Sequence, residues 1–353
     1  MTGRDAPASI AIVGAGSWGT ALAVHLGRRG NPVRLWTRDA DRADQIQALG
    51  ANPRYLPDVR LPARVIATSR AADALADAGL VIVAVPSRFL GQVAGLVAPS
   101  VPRAALVVSA TKGIERRRTL RMSEVLGAAL PGRPVAVLSG PSFAREVALG
   151  KPAALVVAAA DADAALRVQR ELATPEFRVY TNRDVVGVEI AGALKNVIAI
   201  AAGLSDSLDL GDNARAALIT RGLAEIARLG VALGASPRTF AGLAGLGDLL
   251  LTCTGGQSRN RSLGLSVGRG RSLEEAERAT PMVAEGVETV ASALELAGRV
   301  GVPMPICEAV SAVLFEGRPA AAALAALLAR EPRPEEDPVV TLPSADALSP
   351  QET

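Results

Sequence analysis

Cysteine and histidine are scarce in this sequence, and their scarcity excludes several kinds of site. The 353 residues include two cysteines, Cys253 and Cys307, and a single histidine, His25. Two cysteines cannot form a disulfide framework, so the simplest setting for the chain is the reducing cytoplasm. One histidine and two distant cysteines also fall short of the ligand set of a catalytic metal, and we predict none. We expect His25 to have a surface or helix-packing role rather than a catalytic one.

Aromatic residues and long apolar runs are also scarce. Aromatic residues make up 3% of the chain and its arginines are scattered, so nucleic acid would find neither a stacking platform nor a basic stripe. No uncharged apolar run reaches the roughly 18 residues of a membrane span. The N-terminal MTGRDAPAS is short and polar, unlike a signal peptide. We therefore expect a cytoplasmic protein with neither a nucleic-acid nor a membrane partner.

Lysine is rare beside arginine. Of the 38 basic residues, 35 are arginines and only Lys112, Lys151 and Lys195 are lysines. Arginine keeps its proton in proteins, whereas a buried lysine can shift its pKa and transfer a proton. A remaining lysine is therefore a candidate for chemistry that arginine cannot perform. We assign Lys151, in a loop beside a proline, to the surface.

What the sequence does contain indicates a large folded protein with a basic body. It is 49% hydrophobic and 21% charged, and its length suggests two domains. Residues 331–353 are rich in proline and acid, and we interpret them as a mobile tail. The chain carries a net charge of +3 although this tail is acidic, so the body before it is strongly basic. A basic body favours anionic ligands.

Short apolar runs alternate with helical or turn segments through the first half of the chain. The alternation predicts an α/β fold, an N-terminal Rossmann-type doubly wound sheet with helices on both faces. We place this domain at residues 1–183. Its predicted strands are Ser9–Val13, Val33–Trp36, Arg64–Thr68, Leu80–Val85, Ala105–Ser109, Val135–Leu138, Ala154–Ala159 and Phe177–Tyr180.

The pattern changes near Asn182. Long stretches rich in alanine, leucine and isoleucine follow, and helices that are apolar nearly all round should be buried. We therefore predict an all-α C-terminal domain at residues 184–330. Its helical stretches are Asp184–Leu204, Asn213–Leu233 and Glu274–Val300.

The segment GAGSWG follows the first predicted strand and precedes a helical pattern. Its first glycine, Gly14, permits the tight turn, and Gly16 lets the backbone approach a pyrophosphate. Gly19 lets the helix pack on the strand. The helix N-terminus then offers free N–H groups to the phosphates. This context predicts a dinucleotide cofactor.

The end of the second strand should select between NADP and NAD. An acidic residue there accepts a hydrogen bond from the ribose, whereas an arginine pairs with a 2′-phosphate. The sequence reads Trp36, Thr37, Arg38, with Asp39 one residue later. We favour NADP because of Arg38, and Asp39 keeps NAD open.

Further segments place polar groups where ligands bind. ATKG, with Lys112, follows the strand that ends at Ser109, at the carboxyl edge of the sheet. SGPSFA follows the next strand and offers backbone N–H groups. Lys195 lies in an apolar helix, where a lysine is costly unless it serves a cleft. Asp248 in GLGDLLL should have a cationic partner, and a nearby lysine would serve.

The segment SRNR follows a pair of glycines and should open a helix. Backbone N–H groups together with the Arg259 guanidinium suit a phosphate dianion. From the residues alone, an ordinary exposed basic turn stays open as the alternative.

Five motifs taken together resemble a known family. They are GAGSWGTALA, SGPSFA, LKNVIAIAAG, GLAGLGDLLLTC and SRNR, in this order between about Ser9 and about Arg318. In this combination the chain resembles the bacterial NAD(P)-dependent glycerol-3-phosphate dehydrogenases. The resemblance implies interconversion of dihydroxyacetone phosphate and sn-glycerol 3-phosphate with NAD(P)H, which supplies glycerol 3-phosphate for phospholipid biosynthesis.

The resemblance also implies a role for each matching residue. Lys195 is the implied catalytic proton-transfer residue, and residues 184–330 are the implied substrate and catalytic domain. Besides the three glycines of the loop, the implied cofactor contacts are Ser17, Trp18, Arg38, Lys112, Ala144, Arg259, Val283 and Glu285. The implied substrate contacts are Lys112, Gly140, Ser142, Lys195, Asp248, Ser258, Arg259 and Asn260.

A mechanism follows from these roles. Lys195 would give a proton to the ketone oxygen as hydride reaches the ketone carbon, and Lys112 would steady the developing charge. Burial and the second cation should lower the pKa of Lys195, and Asp248 should oppose that. The expected partners are the small-molecule substrate and, as an option, a second copy of the chain in a homodimer.

Two other functions stay open at this level. A ketopantoate-type NADP-dependent reductase would also use a lysine as acid, but it should lack a phosphate pocket like that expected around Arg259. A non-catalytic NADP-binding sensor would keep the glycine loop and would need no buried Lys195.

Overall fold

An eight-stranded sheet organises the first half of the chain. The computed structural model describes residues 9–279, 284–331 and 334–335. Each predicted strand is present within two residues of its predicted bounds. The strands are β1 (Ser9–Val13), β2 (Val33–Trp36), β3 (Ala51–Asn52), β4 (Leu56–Arg60), β5 (Val65–Thr68), β6 (Ala78–Val83), β7 (Leu106–Ser109), β8 (Val135–Ser139), β9 (Ala153–Ala158) and β10 (Phe177–Asn182).

The order of the strands creates a binding crevice. It runs β10-β9-β8-β7-β6-β1-β2-β5, so β1 pairs in parallel with β2 on one side and with β6 on the other. From β1 the chain continues to β2 and β5 on one side and then crosses to β6 on the other, so the strand order reverses at β1. Ligands of such sheets bind outside the carboxyl ends of the strands at this point. The glycine-rich loop directly follows β1 at this edge.

The sheet is not parallel throughout. β9 runs antiparallel to β8, and β10 is parallel to β9, so these two strands oppose the other six. The connection from β8 to β9 contains only a five-residue helix, Ala144–Ala148. Such a helix is about 8 Å long, half the roughly 16 Å of a five-residue strand. The helix alone does not return the chain to the start of the sheet, and the whole connection, residues 140–152, is close to the minimum of roughly a dozen residues for a parallel crossover.

A small hairpin was missed by the sequence analysis. β3 and β4 pair antiparallel between the second helix and β5. The five residues of β4 show no period-two alternation, because its buried residues Leu56 and Val59 are separated by two exposed ones, Pro57 and Asp58. The hairpin packs against the first helix.

The helices cover both faces of the sheet and then form the second domain. They are α1 (Ser17–Arg28), α2 (Ala40–Leu49), α3 (Ala71–Leu75), α4 (Ser87–Val97), α5 (Met122–Ala129), α6 (Ala144–Ala148), α7 (Ala162–Leu172), α8 (Val185–Ser207), α9 (Gly211–Ala232), α10 (Pro237–Phe240), α11 (Asp248–Thr254), α12 (Arg259–Gly268), α13 (Leu273–Arg278), α14 (Glu285–Arg299), α15 (Pro305–Phe315) and α16 (Ala320–Leu328). A 3₁₀ turn at Ala98–Ser100 and a π-helical turn at Leu243–Gly247 complete the set.

The predicted sheet followed by a helical domain is therefore confirmed, with one difference among the helices. The stretch Glu274–Val300 is not one helix. It holds the end of α13 and then α14, which begins at Glu285 after residues that include Pro281. Residues 280–283 lie outside the described part of the chain, as does most of the predicted tail.

Helix α8 is the centre of the second domain. Its N-cap Asp184 accepts a hydrogen bond from the Gly187 backbone N–H at 2.8 Å. It is long and apolar enough to cross a membrane, yet 89% of its most apolar window is buried by the surrounding helices. Glu189 ties α8 to the first domain by accepting hydrogen bonds from Ser123 and Arg121 at the start of α5. α8 is thus a buried core helix anchored to both domains.

The closest packing of α8 is against α12. A Cβ atom on Gly203 of α8 would overlap the carbonyl oxygen of Arg261, and one on Gly264 of α12 would overlap that of Ile200. The two backbones touch because neither glycine has a side chain. This contact fixes α12 relative to the helix that carries Lys195.

We predict that Gly264→Ala lowers the free energy of unfolding by about 1–3 kcal/mol, because the added methyl group forces the two helices apart. Urea unfolding measures the change. Gly95→Ala is the matched control: Gly95 is exposed in α4 and an added Cβ meets nothing within 4 Å. There the substitution should stabilise the protein by up to about 1 kcal/mol. Equal effects of the two variants would contradict the packing role of Gly264.

Candidate functional site

The glycine-rich loop has the geometry of a dinucleotide site. Gly14 has φ of 115°, and a Cβ there would lie 2.6 Å from the Ala84 carbonyl oxygen. Gly16 is the N-cap of α1, and a Cβ there would meet nothing within 4 Å. A Cβ on Gly19 would overlap the Gly14 carbonyl oxygen. The loop is therefore tight, packs closely on α1 and is open beside Gly16.

Other predicted cofactor contacts lie around this loop. Ser17 and Trp18 are partly exposed at the start of α1. Trp18 and Ala144 pack against the same apolar core, because α6 lies beside α1. Ser17, Trp18 and Ala144 therefore lie on two neighbouring helices beside the glycine loop.

At the end of β2, the Arg38 side chain is exposed, whereas the Asp39 carboxylate is bound to a neighbouring residue. Arg38 is exposed, and its guanidinium lies 5.3 Å from the centre of the Phe89 ring. The Asp39 carboxylate is the N-cap of α2: it accepts from the Arg42 backbone N–H at 3.1 Å and pairs with the Arg42 guanidinium at 3.1 Å. The arginine is thus presented to a ligand, while the acid is engaged within its own helix.

The ATKG segment brings Lys112 to the middle of the carboxyl edge. Thr111 fastens the segment to the end of β6 by donating to the Val85 carbonyl oxygen at 2.8 Å. Lys112 donates to the Gly140 carbonyl oxygen at 3.3 Å, so it also contacts the turn after β8. In that turn Gly140 has φ of 126°, and Ser142 Oγ donates to its carbonyl oxygen at 3.0 Å. Lys112, Gly140 and Ser142 are therefore brought together.

Asp248 lies between two lysines. Its Oδ2 atom is 2.6 Å from Lys112 Nζ, and its Oδ1 atom is 2.5 Å from Lys195 Nζ. The carboxylate is buried, with 1% of its side chain exposed, and Lys112 retains 16% exposure. Because one carboxylate serves two ammonium groups, the cluster keeps an excess positive charge next to the cleft.

Lys195 is held in one orientation by two contacts. Besides Asp248, its Nζ donates to Thr252 Oγ1 at 2.9 Å, and that hydroxyl donates to the Asp248 carbonyl oxygen. The pKa of Lys195 is lowered from 10.5 to about 8, chiefly by burial and also by the Lys112 charge, while Asp248 opposes the change. A lysine with this pKa exchanges its proton near neutral pH.

The SRNR segment opens helix α12. Ser258 is its N-cap and accepts from the Arg261 backbone N–H, and Arg259 is its first residue. Asn260 is buried and joins three elements, since its Nδ2 donates to Asn196 Oδ1 at 2.9 Å and its Oδ1 accepts from the Gly286 N–H at 3.0 Å. Arg259 is exposed at this helix N-terminus, where the first backbone N–H groups have no partner within the helix.

Glu285, the first residue of α14, lies near the cationic side chains of the site. Burial raises its pKa, while the positive charges of Arg259, Lys112 and Lys195 lower it, so all three cations lie near its carboxyl group. Val283, the other residue predicted from this segment, lies outside the described residues. The structure thus gathers the predicted substrate residues around Lys195 and the predicted cofactor residues along the adjoining edge.

Two polar residues of this cluster were missed by the sequence analysis. Thr252 follows Asp248 by four residues, so helical spacing could have found it. Asn196 directly follows Lys195, and its partner Asn260 is 64 residues away. Only the packing of α12 on α8 reveals that pair.

The comparisons with known proteins agree on one family. Family models described as NAD-dependent glycerol-3-phosphate dehydrogenase N-terminus and C-terminus match residues 9–165 and 184–325. The chain is 52% identical over 328 residues to a glycerol-3-phosphate dehydrogenase [NAD(P)+] of Moorella thermoacetica, covering 93% of this chain and 97% of that protein.

Solved structures show the same relationship. The crystal structure of a glycerol-3-phosphate dehydrogenase from Coxiella burnetii superposes with a TM-score of 0.89 at 41% identity, covering 92% of this chain and all of that one. A ketopantoate reductase from Ralstonia eutropha gives a TM-score of 0.58 at 19% identity, with 87% and 97% covered. That second likeness is one of fold alone.

Proposed function

This chain belongs to the NAD-dependent glycerol-3-phosphate dehydrogenases, and we propose that its Lys195 transfers the proton when dihydroxyacetone phosphate is reduced to sn-glycerol 3-phosphate. The observation that carries the proposal is a buried lysine with a lowered pKa, fixed by Asp248 and Thr252 at the mouth of the cleft. The likeness to a ketopantoate reductase is limited to the fold, so that alternative is not supported. A non-catalytic sensor would not need this buried lysine.

The residues around the glycine loop fit a nicotinamide dinucleotide. The open space beside Gly16 and the N-terminus of α1 suit its pyrophosphate. Ser17, Trp18, Ala144 and Glu285 would line its path toward Lys195. When bound, the reduced cofactor supplies the hydride that the ketone carbon accepts.

Proton transfer and charge stabilisation would be divided between the two lysines. As the ketone carbon gains hydride, the carbonyl π electrons move onto oxygen, which takes a proton from Lys195 Nζ. Lys112, partly exposed and held by Asp248, would stabilise the negative charge as it develops. Gly140 and Ser142 would hold the substrate beside Lys112. In the oxidation direction neutral Lys195 would accept the proton instead.

The N-terminus of α12 would bind the substrate phosphate. Ser258 and Asn260 fix the first turn of this helix, and the exposed Arg259 stands at its first position. A helix N-terminus together with a guanidinium suits a phosphate dianion. The basic body of the chain favours such a substrate over a neutral one.

For the cofactor, we propose a preference for NADP over NAD. Arg38 is exposed at the end of β2, where a 2′-phosphate would lie. The Asp39 carboxylate, which would otherwise accept from the ribose of NAD, is bound to Arg42. We propose in addition that the enzyme is cytoplasmic and supplies glycerol 3-phosphate for phospholipid synthesis.

We also propose a homodimer formed through α16. This helix, AAAALAALL, is apolar on every side, yet Ala323 is its only buried residue and Leu328 is 76% exposed. A groove of about 400 Å³ lined mainly by apolar side chains lies between α16 and the helices α8, α9 and α15. A second copy would cover both, because a two-fold axis lets the same surface meet itself.

Lys195→Arg should fold and bind NADPH, yet lose about 10²–10⁴-fold in turnover, because guanidinium keeps the charge but cannot give up its proton. Steady-state rates and a cofactor titration measure the two effects. Lys151→Arg is the control, since Lys151 is an exposed lysine paired with Glu146 and should tolerate the exchange. Near-normal turnover of Lys195→Arg across pH would show that Lys195 contributes only its positive charge and that another group donates the proton.

The pH dependence should differ between the two reaction directions. Ketone reduction needs protonated Lys195, so its kcat/KM should fall as the pH rises through about 8. Alcohol oxidation needs the neutral amine, so its kcat/KM should rise through the same pH. Initial rates in both directions measure the two profiles. Asp248→Asn removes the negative charge that raises the pKa of Lys195, so the midpoints of both pH profiles should move to lower pH. Unchanged midpoints would mean that another group titrates.

Arg38→Ala should raise KM for NADPH much more than KM for NADH, because only NADPH has the 2′-phosphate that the guanidinium would bind. Initial rates with each cofactor give the ratio of the variant's KM to the wild-type KM for NADPH and for NADH. Arg64→Ala is the matched control, since Arg64 is also exposed but precedes β5 at the opposite edge of the sheet. Equal changes for both cofactors would remove Arg38 from phosphate recognition.

Leu328→Asp should convert the dimer to a monomer, because the charge would have to be buried without a partner at the interface. Light scattering coupled to size-exclusion chromatography gives the mass directly. Leu166→Asp, a change to another exposed leucine on α7 of the first domain, should leave the mass unchanged. A wild-type protein of about 36 kDa would rule the dimer out.

A further inference from the structure

Asn52 has none of the roles assigned above, yet its side chain reaches the glycine-rich loop. It lies in the β3–β4 hairpin and is fully buried. Its Nδ2 atom donates to the Ala15 carbonyl oxygen at 3.0 Å and to Thr20 Oγ1 at 2.8 Å. These two acceptors flank the first turn of α1, so one amide group spans the turn that should hold the pyrophosphate.

The bond to Ala15 fixes the orientation of a peptide group in this turn. In a trans peptide, the Ala15 C=O and the Gly16 N–H point in opposite directions. Because Asn52 holds the carbonyl oxygen toward the hairpin, the Gly16 N–H points away from the hairpin. The space beside Gly16 is open, since a Cβ there would meet nothing within 4 Å.

The hairpin holds Asn52 firmly in this position. Leu56 and Val59 of β4 are buried in the same apolar core as α1. The Leu61 N–H donates to the Gly50 carbonyl oxygen at 2.8 Å and closes the base of the hairpin. The side chain of Asn52 is therefore supported from the side opposite to the loop.

Asn52 acts on the loop as a donor. Its Oδ1 atom is buried and has no hydrogen-bond partner among the described residues, whereas Nδ2 has two acceptors. An aspartate of the same shape could not replace it, because a carboxylate oxygen would face the Ala15 carbonyl oxygen and repel it.

We infer that Asn52 is a positioning residue for the cofactor: it locks the Ala15–Gly16 peptide so that its N–H, and not its carbonyl oxygen, faces the pyrophosphate. The inference rests on the proposed binding of the dinucleotide at the glycine loop. It predicts a loss of affinity that is the same for NADPH and NADH, because both contain the pyrophosphate. The effect differs in this respect from that of Arg38.

The test is Asn52→Asp, with Asn52→Ala as a second variant that adds no charge. The dissociation constants of both NADPH and NADH should rise about tenfold to a hundredfold, the effect of one lost buried hydrogen bond. At saturating cofactor, kcat and the KM for dihydroxyacetone phosphate should stay within about twofold. Titration by nucleotide fluorescence and steady-state kinetics give these values, and thermal unfolding shows that each variant is folded.

Two controls separate positioning from a general loss of stability. Asn31→Asp changes another buried asparagine of this domain, before β2 and away from the carboxyl edge, and should leave cofactor affinity unchanged. Thr20→Val removes one acceptor of Asn52 and keeps the bond to Ala15, so affinity should change by less than about threefold. Gly16→Leu should block binding by filling the open space beside the loop.

Each outcome has a definite meaning. Unchanged affinity in both Asn52 variants, with binding lost in Gly16→Leu, would overturn the positioning role and leave the proposed function intact. Unchanged affinity in Gly16→Leu as well would instead remove the dinucleotide from this loop. A loss in the Asn52 variants matched by Asn31→Asp would show a structural effect alone and would also overturn the inference.

Discussion

The pairing of Asp248 with two lysines is the interaction on which the rest of the site depends. A single carboxylate with 1% of its side chain exposed stands between Lys112 of the first domain and Lys195 of the second. Without it, two ammonium groups would face each other in a poorly solvated space, at a cost of several kcal/mol. With it, the two domains are joined at the cleft and one positive charge remains in excess. The same cluster therefore explains the cohesion of the cleft and its suitability for an anionic substrate.

This cluster needs a rigid support, which glycine provides at several close backbone contacts. Gly203 and Gly264 let α8 and α12 touch, and that contact sets the position of Arg259 relative to Lys195. Gly192, also in α8, lies against Ser139 at the end of β8, so the helix reaches the carboxyl edge of the sheet. Small residues at these contacts therefore help to position Lys195, because larger side chains would push the packed elements apart and displace its Nζ from the geometry that proton transfer needs.

Much of the fold could be predicted because its signals are local. Short apolar strands, the glycine loop and the apolar helices each leave a pattern within a few residues, and the strand–helix alternation implies the sheet. The reversal of β9 and the β3–β4 hairpin could not be predicted in this way. The direction of β9 depends on the short connection at residues 140–152, and β4 of the hairpin has no alternation of buried and exposed residues by which it could be recognised.

Local residue patterns were enough to identify the kinds of chemistry available: scarce lysines, a glycine loop after the first strand, and a basic turn that opens a helix. The sequence also indicated that Asp248 needs a cationic partner, because a buried carboxylate is costly alone. The tertiary structure decided which groups meet. Lys112, Lys195 and Asp248 are separated by 53 to 136 residues, and only the packing of α8 against the sheet brings them within hydrogen-bonding distance. Asn52 shows the same limit, because a side chain in a missed hairpin can be matched to a loop 37 residues earlier only when both are folded.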